Sequence, residues 1–308
     1  MSKLLTVFGA TGNQGGSVID AVLANPVLSK EFTIRGITRD ASKAAAKDLA
    51  SKGVEIVTAD LASAESVAAA VAGSHTIFLV TSPNFANPAA SPERIHGKIV
   101  ADAAVASNVK HLIYSSLLHV TKETGGRLSH VVHFDQKADV EEYIRSKPIR
   151  STFVLPGYFM SNFSQMMQKG PDGAFTLAYP VSADAQFPLF DAKGDTGKFV
   201  AAVLSDPETT YGQQVLAASG YYTPKRILSE FEEVTGQKAN FYAIDADTYK
   251  SYLPPSMAQE MLENHLFVED PGYFKGLSLD ASEKLLADAG TPATSWKEFL
   301  EKNQADFQ

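Results

Sequence analysis

The chain has 308 residues, 44% of them hydrophobic and 20% charged, with a formal net charge of -8 and no cysteine. This composition suits a folded chain with a sizeable core rather than a disordered one. It excludes disulfides, thiolate metal sites and cysteine nucleophiles, and the acidic balance argues against direct binding to a nucleic-acid backbone, which needs clustered Lys and Arg.

Met1-Ser2-Lys3 leads straight into the apolar run Leu4-Leu5-Thr6-Val7-Phe8. The run is too short for a secretory leader, and no later stretch approaches the ~18 consecutive apolar residues of a membrane span. A cytoplasmic protein is expected, with a nuclear location also open.

Residues 4–8, 32–38, 54–58, 76–80 and 111–114 are β-rich, and residues 15–24, 42–51, 64–71 and 95–107 between them carry alanine-rich or helically spaced apolar patterns. Right-handed crossovers then give an α/β fold of the Rossmann type, a doubly wound parallel sheet over residues 1–150. Past residue 150 the rhythm changes. A strand is expected at 152–155 and another at 214–218, with helices at 197–204, 224–235, 256–265, 281–288 and 295–303. They predict a smaller C-terminal α/β lobe over 151–308, some of whose segments return to the first sheet. Pro224 in a first turn and Gly236 just past a last turn are start and stop signals.

Gly9-Ala10-Thr11-Gly12-Asn13-Gln14-Gly15-Gly16 joins the first strand to the first helix with the spacing G-x-x-G-x-x-G. Such a loop allows a tight turn, lets backbone approach a pyrophosphate and packs the helix onto the strand, while the helix N-terminus faces the phosphates. Gly9, Thr11, Gly12, Asn13, Gln14 and Gly15 are therefore candidate dinucleotide contacts. A carboxylate at the end of the second strand would favour NAD, but this chain has Thr38-Arg39-Asp40 there. Arg39, seconded by Lys43, suits a 2′-phosphate and predicts NADP(H). Asp40 is expected at a helix N-cap. In Ala59-Asp60-Leu61, beside the expected adenine pocket, Asp60 either accepts from the adenine amino group or caps the next turn. Leu61 and Thr81, which follow the third and fourth strands, complete this set.

With these segments and His133-Phe134-Asp135-Gln136-Lys137 in order, the chain resembles the NmrA-like family, atypical relatives of the short-chain dehydrogenases and reductases. Segments 155–162 and 195–200 carry the same resemblance. It implies NADP(H) binding, with the backbone of Pro156, Gly157 and Tyr158 at the nicotinamide end. It also implies two kinds of member: regulators that sense nicotinamide redox state and bind a protein partner, and reductases of small molecules.

Typical short-chain dehydrogenases use Tyr-x-x-x-Lys, two side chains one helical turn apart, for proton transfer and ribose binding. Here Lys137 is present, but its partner is His133, so the candidate catalytic pair is His133 and Lys137. Lys137 is expected to hold the ribose. His133 is either a proton donor or a structural group, and a lysine charge beside it would disfavour imidazolium. The hydroxyl that usually follows the fifth strand is replaced by Leu117, while Ser115 and Ser116 are expected to satisfy local backbone groups. The histidines show no metal-ligand spacing, so no metal is expected, and no G-x-S-x-G elbow is present. Aromatic and methionine residues from Tyr158 to Tyr222 either roof a cavity or fill a core, the core reading being the stronger. The two departures from the carbonyl-reductase pattern favour an NADP(H)-binding, redox-sensing regulator that acts through a protein partner. The alternative is an NADPH-dependent reductase of small carbonyl, quinone or enone compounds.

Overall fold

The computed structural model describes residues 2–87 and 90–307. The chain begins with β1 (Lys3–Phe8), α1 (Asn13–Ala24), α2 (Leu28–Glu31), β2 (Phe32–Thr38), α3 (Ala44–Ser51), β3 (Glu55–Thr58) and α4 (Ala64–Val71). It continues through β4 (Thr76–Leu79), α5 (Glu93–Ala106), β5 (His111–Ser115), α6 (Val120–Glu123), α7 (Val132–Arg145) and β6 (Ser151–Pro156). Next come β7 (Tyr158–Phe159), α8 (Asn162–Met166), β8 (Gln168–Lys169), β9 (Phe175–Tyr179), β10 (Phe187–Phe190), α9 (Thr196–Ser205), β11 (Gln214–Ala217) and β12 (Tyr221–Tyr222). The last elements are α10 (Pro224–Thr235), β13 (Ala239–Ala243), α11 (Ala246–Ser251), α12 (Pro255–Glu269), α13 (Asp280–Asp288) and α14 (Trp296–Lys302).

Seven strands form one sheet in the order β11-β6-β5-β4-β1-β2-β3, and every pairing in it is parallel. Both faces must then be covered, and β4, β5 and β6 are accordingly buried at every residue, with apolar side chains in succession at their centres. On one face α1 crosses α9, and α9 packs on α13; on the other α4, α5 and α7 lie side by side. Val18, Ile19 and Val22 of α1 meet Phe199, Val200 and Val203 of α9 in one apolar cluster. The cluster on the opposite face runs without a break from Val100 and Val140 into Tyr179, Phe231 and Trp296. The smaller C-terminal part, with its two three-stranded sheets, thus shares a core with the large sheet.

Local signals set several boundaries. Thr223 caps α10, Pro224 opens it and Gly236 ends it in the left-handed conformation. Ser295 and Glu298 form a capping box on α14. Among the described residues no helix is long and apolar enough to cross a membrane.

Candidate functional site

The strand order reverses between β1 and β4, and the crevice outside the C-terminal ends of these two strands is where open α/β sheets take ligands. At the end of β1 the chain turns through Gly9, whose φ of +68° favours a residue without Cβ. A Cβ on Gly15 would stand 2.3 Å from the Gly9 carbonyl oxygen, so α1 starts this close to β1 only with glycine there. No side chain caps α1 at Gly12, and its first turn holds no acidic residue. The N-terminal N–H groups and dipole of α1 are left for an external anion. Gln14 is fixed from below, since Ser115 Oγ donates to its Oε1 at 2.7 Å. Ser115 therefore ties the loop to β5 rather than serving local backbone, whereas Ser116 donates to the Leu117 carbonyl at 3.4 Å.

Past β2, Arg39 and Lys43 are exposed, and among the described residues neither side chain has a hydrogen-bond or ion-pair partner. Two unpaired cations beside an uncapped helix N-terminus suit the phosphates of a dinucleotide such as NADP(H). Asp40 is not a helix cap. The α3 helix starts at Ala44 with Lys43 at its N-cap position, and the Asp40 carboxylate instead accepts from the Ser42 N–H at 2.9 Å and its hydroxyl at 2.6 Å. These bonds hold the Asp40 carboxyl below its ordinary range. Asp60 accepts from the Ala62 N–H at 3.0 Å, a turn-capping bond that leaves its second oxygen open. Leu61 is half-buried beside it.

Helix α7 carries the pair four residues apart. Lys137 is buried, and its ammonium donates to the Thr81 carbonyl at 2.8 Å, the Thr81 hydroxyl at 3.1 Å and Glu93 Oε1 at 2.7 Å. Thr81 lies just past β4, so Lys137 reaches the same crevice as the glycine loop. Its charge is balanced by Glu93, which is wholly buried and keeps one oxygen, Oε2, without a partner among the described residues. His133 faces a second buried carboxylate. Glu260 of α12 accepts both the His133 backbone N–H, at 2.8 Å, and the Nδ1–H, at 2.6 Å. A carboxylate can only accept there, so Nδ1 carries the hydrogen and Nε2 is the nitrogen left open among the described residues; the ring itself packs edge-on with Phe85 and Phe134. Three residues before, Glu263 accepts the His130 N–H with Oε2, at 2.7 Å, and the ring Nδ1 with Oε1, at 2.6 Å. Two glutamates of α12 therefore complement the N-terminal end of α7.

Residues 1–300 match the NmrA-like family. The chain belongs to that family. It is 32% identical to the NmrA-like family domain-containing oxidoreductase ptmS of Penicillium ochrochloron, over 81% of this chain and 78% of that protein. Its fold is similar to that of NmrA, a negative transcriptional regulator solved with NADP, with a TM-score of 0.81 at 22% identity over 98% and 95% of the two chains. It is also similar to the NADPH-dependent quinone oxidoreductase QOR2 of Escherichia coli solved with NADPH, with a TM-score of 0.76 at 21% identity over 97% and 99%.

Two further features bear on what this NmrA-like site can do. Leu117, just after β5, is buried and offers no hydroxyl. At the end of β6 the Pro156 carbonyl accepts from Tyr273 at 3.1 Å, and the Gly157 N–H donates to Ala217 at 2.8 Å. The Tyr158 phenol points into the core, 2.8 Å from the Tyr179 hydroxyl and 3.3 Å from His265 Nε2. Burial raises its pKa to about 12 and lowers that of His265 to about 4. Phe163 and Phe187 pack against the Tyr158 ring, Met167 is buried in the same core, and Phe190 is buried in the cluster on the other face. Glu93, Glu260 and Glu263 are the functional-site residues that sequence reasoning missed; Glu93, one residue past Pro92 at the start of a helix, carried the faint signal of an acid in a first turn.

Proposed function

We propose that this chain is an NADP(H)-dependent oxidoreductase of small carbonyl, quinone or enone compounds, in which His133, positioned by Glu260, holds the proton that accompanies hydride transfer. The observation that carries the reading is the double bond of Glu260 to His133, which fixes the tautomer and leaves Nε2 open. This is the base-and-orienter arrangement that proton-transferring histidines use. The sequence-based objection to His133 was the charge of Lys137, and that ammonium is balanced by Glu93. Relatives named as oxidoreductases at 32% identity lend support.

The coenzyme would lie along Gly9, Thr11, Gly12, Asn13, Gln14 and Gly15, with Arg39 and Lys43 on a 2′-phosphate and Asp60 and Leu61 at the adenine. Thr81, Lys137 and the backbone of Pro156, Gly157 and Tyr158 would hold the ribose and nicotinamide end. When bound in its reduced form, the nicotinamide supplies a hydride. The chain must add one proton, and as the imidazolium His133 can release it from Nε2, leaving the neutral ring with its Nδ1–H still bonded to Glu260.

The test is NADPH oxidation across a panel of quinones, enones and aldehydes. A turnover above about 1 s⁻¹, ordinary for an enzyme, with a loss of ~100-fold or more in His133→Ala, supports the reading. NADPH binding without turnover of any of them would overturn it in favour of a redox-sensing regulator that acts through a protein partner. Leu117 and the fully engaged donors of Lys137 are the observations that favour this second reading.

A further inference from the structure

The coenzyme crevice lies at the C-terminal edge of the large sheet, and the opposite edge holds a cavity of about 530 Å³. It forms where β1, β2, β4 and β5 begin and where the chain leaves α9. Strand β1 alone, with Lys3 at one end and the glycine loop at the other, separates the two places by ~20 Å.

The wall combines apolar and cationic surface. Phe32, Leu204 and Tyr211 supply the first; Lys3, Lys110 and Arg150 supply the second, against a single lining carboxylate, Glu208. In a chain with a net charge of -8, this is a local reversal of sign. The Lys110 backbone N–H donates to the His75 carbonyl at 2.8 Å, but its ammonium has no hydrogen-bond or ion-pair partner among the described residues. Arg150 lies 5.0 Å from the centre of the Tyr211 ring and pairs with Glu208 at 3.0 Å. Lys3 pairs with Glu31. The four side chains of these two pairs keep a third or more of their surface exposed, and such pairs give way readily to a competing ion. The field is felt by the imidazoles at the back of the cavity. His75 is lowered first by burial and then by the charge of Lys3, and His111 is lowered to about 4 by burial, then by His75 and Arg150.

We propose that this cavity is a second ligand site that takes a small organic anion, its carboxylate or phosphate head held by Lys110 and Arg150 and its apolar or aromatic body packed against Phe32 and Tyr211. The volume falls in the ordinary range for small-molecule sites. Anion affinity comes from the cations, and preference among anions comes from the apolar wall, so head and body are both required.

Calorimetric titration of the full chain with phenyl phosphate, benzoate, inorganic phosphate and benzyl alcohol tests both halves. Phenyl phosphate or benzoate is expected to bind about tenfold or more tightly than inorganic phosphate and benzyl alcohol, and the tighter of the two names the head group. Lys110→Glu and Arg150→Glu should each weaken that binding by about tenfold or more, while saturating NADPH leaves it unchanged. If Lys110→Glu fails to fold, Lys110→Gln, which keeps most of the stem, takes its place. Saturable binding of none of the four, benzyl alcohol or inorganic phosphate binding as tightly as the tighter of the two aromatic anions, indifference to the Lys110 substitution, or displacement by NADPH would each overturn the proposal.

Discussion

His133 and Glu260 stand 127 residues apart in the chain, yet one oxygen of Glu260 accepts both the backbone and the ring N–H of His133. The bond has two consequences that can be separated. It complements the start of α7, and it decides which nitrogen of the ring faces out. Glu260→Gln keeps an acceptor but removes the charge, and is expected to lower kcat by about tenfold or more with little change in the KM for NADPH. Glu260→Ala should in addition cost about 1–3 kcal/mol of stability, because two donors lose their acceptor. Steady-state kinetics and urea denaturation on both variants check this. A stability loss with kcat intact would make Glu260 a helix cap and nothing more.

The Arg39 side chain has no partner among the described residues, so its removal disturbs little of the fold. Arg39→Ala is expected to lose about 1–3 kcal/mol of NADPH affinity, the range for a hydrogen bond to a charged group, and much less for NADH. Titration of both coenzymes reads the difference directly. Equal losses for the two would remove the 2′-phosphate assignment.

Adjacent glycines of the loop should behave in opposite ways. A methyl at Gly15 meets the Gly9 carbonyl oxygen at 2.3 Å, whereas one at Gly16 comes no nearer than 3.5 Å to the Ala10 oxygen. Gly15→Ala must therefore push α1 off β1, at a cost of about 1–3 kcal/mol in stability and a weaker grip on the coenzyme. Gly16→Ala, inside α1, should be stabilising by roughly 0.5–1 kcal/mol. Thermal unfolding of the two variants compares them, and a neutral Gly15→Ala would contradict the close-packing role.

Much of the fold is legible because its determinants are local. The strand-helix alternation, the glycine loop and the ends of α10 are each written within a few neighbouring residues. The start of α3 was misread because Asp40 makes a turn of its own with Ser42, a choice that short polar side chains offer near helix starts. The two-residue strands β7 and β12 hold only because β10 lies between them, and no pattern of two residues can announce that. The site divides in the same way. His133 and Lys137 are visible by spacing, but what neutralises each is not: Glu93 lies 44 residues from Lys137 and Glu260 belongs to a helix near the other end of the chain. Sequence reasoning consequently set a lysine charge against His133, where the fold sets a carboxylate.

Buried histidines give stability a pH dependence of known sign. His265 is wholly enclosed by Tyr158, Tyr179 and Tyr249, and its pKa falls from 6.5 to about 4 on burial. Between those values the unfolded chain binds a proton that the folded chain refuses. Stability is therefore complete above pH 6.5 and is lost as the pH falls towards 4, by on the order of 3 kcal/mol for a displacement of that size. His111, also lowered to about 4, acts in the same direction. Urea midpoints measured from pH 7.5 to 4 should decline in the native chain and decline less steeply in His265→Gln. An unchanged slope would show that His265 is not among the groups responsible.

The Lys137–Glu93 pair allows the structural and coenzyme roles of the lysine to be told apart. Both side chains are buried and 2.7 Å apart, so removing one strands the other without its counter-charge. Lys137→Ala alone is expected to cost about 3–5 kcal/mol of stability, and any weakening of NADPH binding in that variant is confounded by the damage. The double variant Lys137→Met, Glu93→Leu replaces the ion pair with apolar side chains, and such replacements are often neutral or even stabilising. Its unfolding midpoint should return close to that of the native chain. If Lys137 holds the ribose, NADPH affinity should stay low in this refolded background, because the donor is gone while the crevice is intact. If affinity returns together with stability, Lys137 acts only as the counter-ion of Glu93, and the ribose must find its partner elsewhere in the crevice.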